Sequence, residues 1–338
     1  MKHLNQFITE YIIKKKLDKA IDSEYKYHPQ TKEELTKNIE ELIKDGIYDF
    51  NCIDTSDITD MSHLFEYIDI DRNFDVSEWN VSDVTNMMYL FQGCENFDCD
   101  LSNWNVSKVE DMQYMFVDCE NFNCDLSNWD VSKVENMSHI FFKCEKFEGK
   151  GLENWDVHKV KNMNDMFYEC KNFNCDLSNW DVSNVENMEG MFNKCGSFKG
   201  KGLDKWNINS VKITEFMFSK CDKFDCDLSN WNISNITNMQ NMFQDCKNFK
   251  GKGLDKWNVS NVKYMSSIFK NCEKFDCNVS NWNICNVIYM DYAFINCLSF
   301  TGKELDKWNP QSLKDSEGIF DNCKSIKKYP KWYTDWFK

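Results

Sequence analysis

The chain contains little of what marks linkers, catalytic centres or membrane spans. Its 338 residues include three prolines and five histidines. The scarcity of proline argues against long linkers and proline-rich disorder. No segment approaches the run of about 18 apolar residues that a membrane-spanning helix requires. We therefore expect a folded chain that does not insert into a membrane.

Positive charge is also scarce. The chain has 40 lysines and arginines against 55 aspartates and glutamates, so its formal net charge is −15. An acidic surface repels phosphate groups, which disfavours nucleic acid and anionic membranes as partners. Met1 to Lys19 contain neither an unbroken apolar core nor a small-residue cleavage site, so no usual secretory signal is predicted. This absence favours a cytoplasmic or virion-associated location.

What the chain has instead is a repeat, which its tryptophans mark. Ten of them follow one another at intervals of 25 or 26 residues: Trp79, Trp104, Trp129, Trp155, Trp180, Trp206, Trp231, Trp257, Trp282 and Trp308. Positions are counted below from the tryptophan of each unit. Val or Ile stands at +2 and +5, Met is usual at +8, Phe follows at +12 and +18, and Leu precedes the next tryptophan by three residues. A fixed short period of this kind predicts a stacked solenoid.

The seventeen cysteines fall mainly into two columns of this repeat. The +15 column is unbroken: Cys94, Cys119, Cys144, Cys170, Cys195, Cys221, Cys246, Cys272, Cys297 and Cys323. The +20 column holds Cys99, Cys124, Cys175, Cys226 and Cys277, and from Cys124 onward it alternates with a Gly-Lys-Gly sequence, so the late period is 51 residues. The odd count and the columnar placement predict mostly reduced, buried thiols rather than a disulfide framework.

The template suggests one short strand and one short helix in each unit. Leu101 to Val106 has the L-x-x-L-x-L pattern of a leucine-rich-repeat strand, with Trp104 and Val106 pointing inward. Met112 to Phe122 has apolar residues at spacings of three and four, which predicts a helix, and Asp111 suits its N-cap. The predicted fold class is therefore an α/β repeat solenoid, a leucine-rich-repeat-like right-handed coil.

Both ends differ from the repeat. We predict a helical N-terminal cap over residues 1–48, a solenoid of about ten to eleven repeats over 49–325, and an aromatic C-terminal cap or tail over 326–338. Within the N-terminal part, Phe7 to Leu17 suggests one helix. Thr31 to Lys44 suggests another, with Thr31 as N-cap and Glu34 at the third helical position. A separate partner-binding helical domain and an exposed docking peptide are the alternatives for the two ends.

Two segments carry a resemblance to a known family. Trp129 to Met137, with the sequence WDVSKVENM, and Leu177 to Met188, with the sequence LSNWDVSNVENM, resemble the repeat of BspA-like leucine-rich-repeat surface proteins. The same unit occurs in mycoplasma lipoproteins of unknown function. The resemblance covers roughly residues 50–325 and implies a non-enzymatic solenoid that is displayed on cell surfaces and used in adhesion or host interaction. The chain departs from the family in its cysteine columns and in lacking an obvious signal or lipobox.

No catalytic pattern is visible. The histidines do not recur at one repeat position, no nucleophile elbow is present, and Gly-Lys-Gly lacks the spacing of a phosphate-binding loop. Cys94 and Cys99 are five residues apart, which is not the spacing of a zinc knuckle. The sequence predicts no enzyme, no cofactor and no metal site.

The most regular polar feature is the Asn/Asp column at +1. We predict that it forms a possible binding face, made by Asn105, Asp130, Asp156, Asp181, Asn207, Asn232 and Asn258. The alternatives are amide ladders along the stack, or a calcium site at the three aspartates, although one carboxylate per coil makes a poor cage.

These features predict a non-catalytic repeat protein that mediates protein–protein or host and cell-surface interaction. An intracellular or virion scaffold is the alternative, and a glycan-binding module is a remote one. The functional step rests on analogy with the family rather than on a site. The oligomeric state is left open.

Overall fold

A computed structural model describes residues 25–66, 68 and 70–336. Helix α1 spans Lys32–Lys44 and helix α2 spans Lys331–Trp336. Between them lies a stack of coils whose helical content is four short 3₁₀ segments, Leu152–Asn154, Leu203–Lys205, Leu254–Lys256 and Leu305–Lys307. In the described part of the chain, β structure consists of isolated parallel bridges between neighbouring coils. The predicted repeat solenoid is present, but its coils are built from turns.

The predicted strand around each tryptophan is wrong. The Trp104 N–H donates to the carbonyl of Leu101 at 3.1 Å, so the chain turns where extended backbone was expected. The Asn105 side chain then accepts the N–H of Ser107 at 3.2 Å, which bends the chain again. Asn and Asp favour such turns because their side chains reach backbone N–H groups two residues later. Most of the parallel bridges lie instead at +7, as between Asn162 and Asn187.

The predicted helix in each coil is also wrong. Tyr114 and Asp118 both have a φ of 59°, a left-handed conformation that a right-handed helix cannot contain. The same conformation recurs at +10 and +14 throughout the stack. Asp111 is therefore no helix cap: its carboxylate accepts the N–H of Gln113, two residues later, at 3.1 Å.

The apolar face was nevertheless assigned correctly. Met112, Met115, Phe116, Cys119 and Phe122 are all fully buried. Consecutive turns explain this, because in each of them a backbone N–H donates to the carbonyl three residues earlier, as the Cys119 N–H does to the Phe116 carbonyl at 3.0 Å. Such turns return every third or fourth side chain to the interior, which is the spacing that a helix also produces.

Phenylalanine columns form the centre of the stack. The +12 rings of successive coils are stacked, with centroids 5.6 Å apart between Phe116 and Phe141 and 5.7 Å apart between Phe141 and Phe167. Within a coil the +18 ring packs closely on the +12 ring, as for Phe116 and Phe122 at 4.1 Å. Burying these large rings in every coil supplies much of the hydrophobic stabilisation, because apolar area removed from water contributes roughly 25 cal/mol per Å².

The tryptophan column interlocks neighbouring coils. The Trp104 indole Nε1 donates to the carbonyl of Val76 at 3.1 Å, and Trp129 does the same to Leu101 at 3.1 Å. Each acceptor lies three residues before the tryptophan of the preceding coil, or before Ile53, which takes the tryptophan position in the first coil. All ten repeat tryptophans have such a partner. The pattern satisfies a buried indole N–H and a buried carbonyl in the same contact.

The +15 cysteines form a second interlocking column. The Cys144 thiol donates to the Phe116 carbonyl at 3.0 Å, and the Cys170 thiol donates to the Phe141 carbonyl at 3.0 Å. Both thiols are fully buried, and burial raises their pKa well above the usual value of 9.0. The sequence predicted apolar column fillers; in addition, these thiols are hydrogen-bond donors between coils.

The alternation at +20 has a steric cause. A Cβ atom added at Gly149 would lie 2.8 Å from the Cβ of Cys175 in the next coil, and one added at Gly151 would lie 2.2 Å from the backbone nitrogen of Ser127. Gly151 also has a φ of 92°, which side chains rarely tolerate. Glycine therefore provides the space that the neighbouring coils occupy.

A helix lies near each end of the described chain. Thr31 Oγ1 accepts the N–H of Glu34 at 3.2 Å, which confirms the predicted N-cap of α1, and Leu35 of this helix is fully buried. At the other end, the indole of Trp332 in α2 stacks on Trp308 with centroids 6.1 Å apart. The helix predicted from Phe7 to Leu17 lies outside the described residues, and the domain boundaries at 48 and 325 stay predictions.

Candidate functional site

The predicted +1 face is exposed but engaged with its own backbone. Asn105, Asp130, Asp156, Asp181, Asn207, Asn232 and Asn258 are all exposed and stand in successive coils. Each side-chain oxygen accepts the N–H two residues later, as Asp130 does from Ser132 and Asp181 from Ser183, both at 3.0 Å. Hydrogen bonds from the side chains of Ser132 and Ser183, followed by those from their backbone N–H groups, lower the pKa of Asp130 and Asp181. The column therefore shapes the coil as well as presenting a surface.

Amide ladders run beside this column rather than along it. At +4, the Asn235 side chain donates to the carbonyl of Asn209 in the preceding coil at 2.7 Å. At −1, the Asn128 side chain donates to the carbonyl of Ser102 at 3.1 Å. From the +1 column itself, the Asn232 side-chain amide donates to the side-chain oxygen of Asn209 at 2.8 Å. Asn209 stands at +3 of the preceding coil, so this bond does not join two +1 residues. The amides at +4 and −1 thus tie exposed backbone of adjacent coils together.

Lysines of the Gly-Lys-Gly turns pair with acids of the preceding coil. Lys150 Nζ lies 2.8 Å from Asp125 and Lys252 Nζ lies 2.8 Å from Asp227. These lysines lower the pKa of both aspartates to about 2. The Gly-Lys-Gly turns at Lys150 and Lys201 line grooves of about 450 Å³ and 610 Å³, and Lys252 borders the second one. Because both charges are largely exposed, each pair contributes little to stability.

The histidines pair with single carboxylates. His28 lies 3.3 Å from Asp54, His139 lies 3.4 Å from Asp165, and His158 lies 2.8 Å from Asp156. Across residues 25–66, 68 and 70–336, no group of three His, Cys, Asp or Glu side chains could hold a metal ion. His3 lies outside the described residues.

Sequence reasoning missed an aromatic stripe on the outside of the stack. We define the aromatic stripe as His63, Tyr89, Tyr114 and His139 at +10, with the first coil counted from Ile53, continued by Phe142 and Tyr168 at +13. Its rings are half-buried and stacked. The centroids of neighbouring rings are 4.7, 4.5 and 4.6 Å apart along the first four, and 4.5 Å apart between the last two. Reading the +10 column coil by coil would have found it, because four successive aromatic rings stand there.

A stack of turn-built coils, interlocked by indole and thiol hydrogen bonds around one apolar interior, defines a repeat solenoid. The family model described as "Mycoplasma protein of unknown function, DUF285" matches residues 33–153, 135–254 and 217–336. The chain belongs to this family, which confirms the resemblance to mycoplasma repeat proteins. No curated protein matches the chain.

Solved structures give distant likenesses. A leucine-rich repeat protein from Eubacterium ventriosum shares 14% identity over 86% of each chain, with a TM-score of 0.33. A leucine-rich cell surface protein from Faecalibacterium prausnitzii shares 12% identity over 80% of this chain and 87% of its own, with a TM-score of 0.32. The functional domain of InlJ from Listeria monocytogenes, which includes a cysteine ladder, shares 13% identity over 84% of this chain and 67% of its own, with a TM-score of 0.20.

The described residues contain two α-helices, α1 and α2. Neither α1 nor α2 has the length and apolar character that crossing a bilayer requires.

Proposed function

We propose that this protein is a non-catalytic binding module whose ligand is another protein. The observation that supports the proposal is the contrast between constant and varied surface positions. The constant Asn and Asp columns bond to the chain's own backbone, as Asp181 does to Ser183. The positions at +9, +10 and +13 vary from coil to coil while the backbone beneath them stays the same.

The +10 position makes this contrast clear. His63, Tyr89, Asp165 and Phe216 occupy it in different coils, with φ values of 56°, 59°, 50° and 56°. A rigid repeated frame that carries different side chains at equivalent points is how solenoid proteins build extended binding surfaces. Aromatic residues at such points favour a protein ligand, because Tyr, Trp and Phe are enriched at the centres of protein interfaces.

The +1 column stays a second candidate surface for the same role. Its oxygens are partly engaged by the backbone, but Asn105, Asp130 and Asp156 remain exposed to a ligand. An extended peptide or a glycan would suit so uniform a row. The capping roles of residues 1–48 and 326–338 belong to the same proposal, and the burial of Leu35 in α1 and the stacking of Trp332 in α2 on Trp308 support them.

A structural scaffold in a reducing compartment is the second candidate. The observation that favours it over a surface adhesin is the thiol column, because a sulfur oxidised to a disulfide cannot donate the hydrogen bond that Cys246 makes to the Phe218 carbonyl at 2.9 Å. Cell fractionation with antibodies against the native protein distinguishes the two. An adhesin is expected in the surface fraction and a scaffold in the soluble or particle fraction.

Site-specific photo-crosslinking in the source cells tests the binding function. A photoreactive phenylalanine is placed at Tyr114 or at Asp130, which samples the two candidate surfaces. Crosslinked proteins are identified by mass spectrometry, and each is then purified and titrated against the purified chain by calorimetry. Saturable binding of at least one identified protein is expected. If every purified candidate fails to bind, or the chain converts any of them into product, the proposal is wrong.

A further inference from the structure

We propose that the aromatic stripe, with the carboxylates at its two ends, binds an extended lysine- or arginine-rich segment of a protein partner. This inference rests on the proposed binding function and goes further, because it assigns the surface and the chemistry of the ligand. It follows from the spacing of the rings, from the carboxylates around them and from the way in which the nearby lysines are already paired.

The row of rings has the length and regularity of a binding site for extended chain. The ring centroids of neighbouring residues are 4.5 to 4.7 Å apart along His63, Tyr89, Tyr114 and His139. Four rings at this spacing match about five residues of extended chain, which rises roughly 3.3 Å per residue. The backbone holds the rings in place, because all four residues have the same left-handed conformation. The row is therefore pre-organised, which reduces the entropy lost on binding.

The rings present their edges, because their faces cover one another. At the far end, Phe142 stacks on Tyr168 at 4.5 Å, and the ammonium group of Lys194 lies over the Tyr168 ring at 4.7 Å. A ligand thus meets ring edges and phenol hydroxyl groups rather than open faces. Single-stranded nucleic acid binds by stacking its bases on open aromatic faces, so this surface does not suit it. Apolar side chains of a peptide pack well on such edges.

Carboxylates lie at both ends of the row. Glu66, which pairs with His63 at the first ring, and Asp111, which stands in the coil of Tyr114, are close enough to Tyr89 to help raise the pKa of its hydroxyl group, after desolvation and the neighbouring Tyr114. Beyond His139, the carboxylate of Asp165 lies 3.4 Å from the imidazole Nε2. Next to it, burial together with the charges of Glu215 and Asp165 raises the pKa of Glu189. Crowded, partly desolvated carboxylates of this kind are stabilised when a cation approaches.

Glycine at the next +10 position keeps this acidic end open. A Cβ atom at Gly190 would lie 1.9 Å from the Asp165 Oδ1 atom, so any larger residue there would displace the carboxylate. The lysines around the stripe are already paired within the described residues: Lys32 with Asp60 at 3.1 Å, Lys143 with Asp118 at 3.0 Å and Lys194 with Glu169 at 2.9 Å. The charge left to meet a ligand is therefore negative, and a cationic segment complements it.

Fluorescence anisotropy with defined peptides tests the assignment on the full chain. The probe is a fluorescein-labelled peptide of alternating lysine and valine, compared with peptides of alternating lysine and serine and of alternating glutamate and valine. We expect the lysine–valine peptide to bind about tenfold more tightly than the lysine–serine peptide, because only the first offers apolar side chains to the ring edges. The glutamate–valine peptide should not bind, and added salt should weaken the complex.

Matched variants locate the site. Tyr114→Ser and Glu189→Gln should each weaken binding of the lysine–valine peptide by about tenfold. Tyr289→Ser removes an exposed tyrosine elsewhere and Glu78→Gln removes one exposed negative charge outside both candidate surfaces, so both should stay within about twofold of the unchanged protein. If Tyr114→Ser unfolds the chain, Glu189→Gln alone decides, since it preserves the shape of the side chain.

The failures are distinguishable. Equal binding of the peptide to the unchanged chain and to both stripe variants, no binding of any peptide, or preferential binding of single-stranded oligothymidine would each overturn the assignment of the stripe. If a crosslinked partner binds the unchanged chain and Tyr114→Ser equally well, the stripe assignment fails while the binding function stands. If no purified partner binds at all, the binding function itself fails.

Discussion

The indole Nε1 of Trp180 donates a hydrogen bond to the backbone carbonyl of Leu152, which lies 28 residues earlier, at a distance of 2.7 Å. The same indole stacks on that of Trp206 in the next coil, with centroids 6.3 Å apart. Trp180 thus joins three coils by two kinds of contact. A substitution there therefore affects more than the coil that carries it.

Trp180→Ala should destabilise the solenoid severely, by about 3–5 kcal/mol, because it removes a buried aromatic side chain and leaves a cavity. Trp180→Phe keeps part of the packing but leaves the Leu152 carbonyl without its indole donor, and should cost about 1–3 kcal/mol. Lys133→Ala, an exposed change, serves as the control and should stay near zero. Urea unfolding followed by tryptophan fluorescence measures all three, and equal midpoints for Trp180→Ala and Lys133→Ala would contradict the packing described above.

The buried thiols predict alkaline destabilisation. Burial raises the pKa of Cys195 well above 9.0, so the folded chain holds this proton at pH values at which the unfolded chain releases it. The stability that such thiols contribute is complete below pH 9 and is lost as the pH rises toward the folded-state pKa. Each thiol should lower the free energy of unfolding by at most about 1.4 kcal/mol per pH unit in that window.

Cys195→Ala isolates the contribution of one thiol. The variant loses the hydrogen bond to the Phe167 carbonyl, so it should be less stable at neutral pH. Its unfolding midpoint should nevertheless fall less steeply above pH 9 than that of the unchanged chain. The two are compared by denaturant titration at a series of pH values, and identical slopes would show that Cys195 does not titrate on unfolding.

Glycine at the close contact between coils should be irreplaceable. Gly151→Ala would place a Cβ atom 2.2 Å from the backbone nitrogen of Ser127 at a φ of 92°, so the coils would have to separate locally. A loss of about 2–4 kcal/mol is expected from steric overlap and backbone strain together. Gly196→Ala is the matched control, because a Cβ atom there meets nothing within 4 Å. Thermal unfolding should separate the two variants clearly; if their melting temperatures agree, the coils do not approach as described.

The role of the +1 column can be tested at Asp181. Asp181→Asn keeps an oxygen that accepts the Ser183 N–H and should leave stability nearly unchanged at neutral pH. Asp181→Ala loses the acceptor and should cost about 1 kcal/mol. The bond to Ser183 lowers the pKa of Asp181, so this stabilisation is present above the unfolded value of 3.8 and is lost as the pH falls through the folded pKa. As the pH falls, Asp181→Asn should therefore lose less stability than the unchanged chain. Identical dependence of stability on acid pH in the two proteins would show that the Asp181 carboxylate does not stabilise the turn by its charge.

The sequence allowed the interior to be predicted almost in full. The spacings of Trp, Phe, Met and Cys identified the buried columns, and Phe116 and Cys119 lie where that pattern placed them. The path of the backbone could not be predicted in the same way, because a helix and a series of turns share spacings of three and four. The left-handed residues that separate the two cases carry no sequence signal, since Tyr114 and Lys143 are not typical of that conformation.

The candidate sites show the same division. The exposure of Asp130 and its neighbours in the +1 column followed from the alternation around tryptophan, but their hydrogen bonds depend on turns that were predicted as strands. The aromatic stripe depends on contacts between rings in different coils. Tyr89 and Tyr114 are 25 residues apart, so their stacking becomes visible when equivalent positions are compared across coils.

The interlocking hydrogen bonds also give the stack a direction. Trp206 and Cys221 both donate backward, to the carbonyls of Leu177 and Phe192 in the preceding coil. These backbone carbonyls of a coil therefore receive their side-chain hydrogen bonds from the coil that follows it. Synthesis starts at the N-terminus, so each coil with its acceptor carbonyls is made before the coil that carries the matching donors. The stack can therefore fold one coil at a time during synthesis. Within residues whose side chains the structure describes, Trp332 makes the last such bond, to Leu305, from a helix instead of a coil.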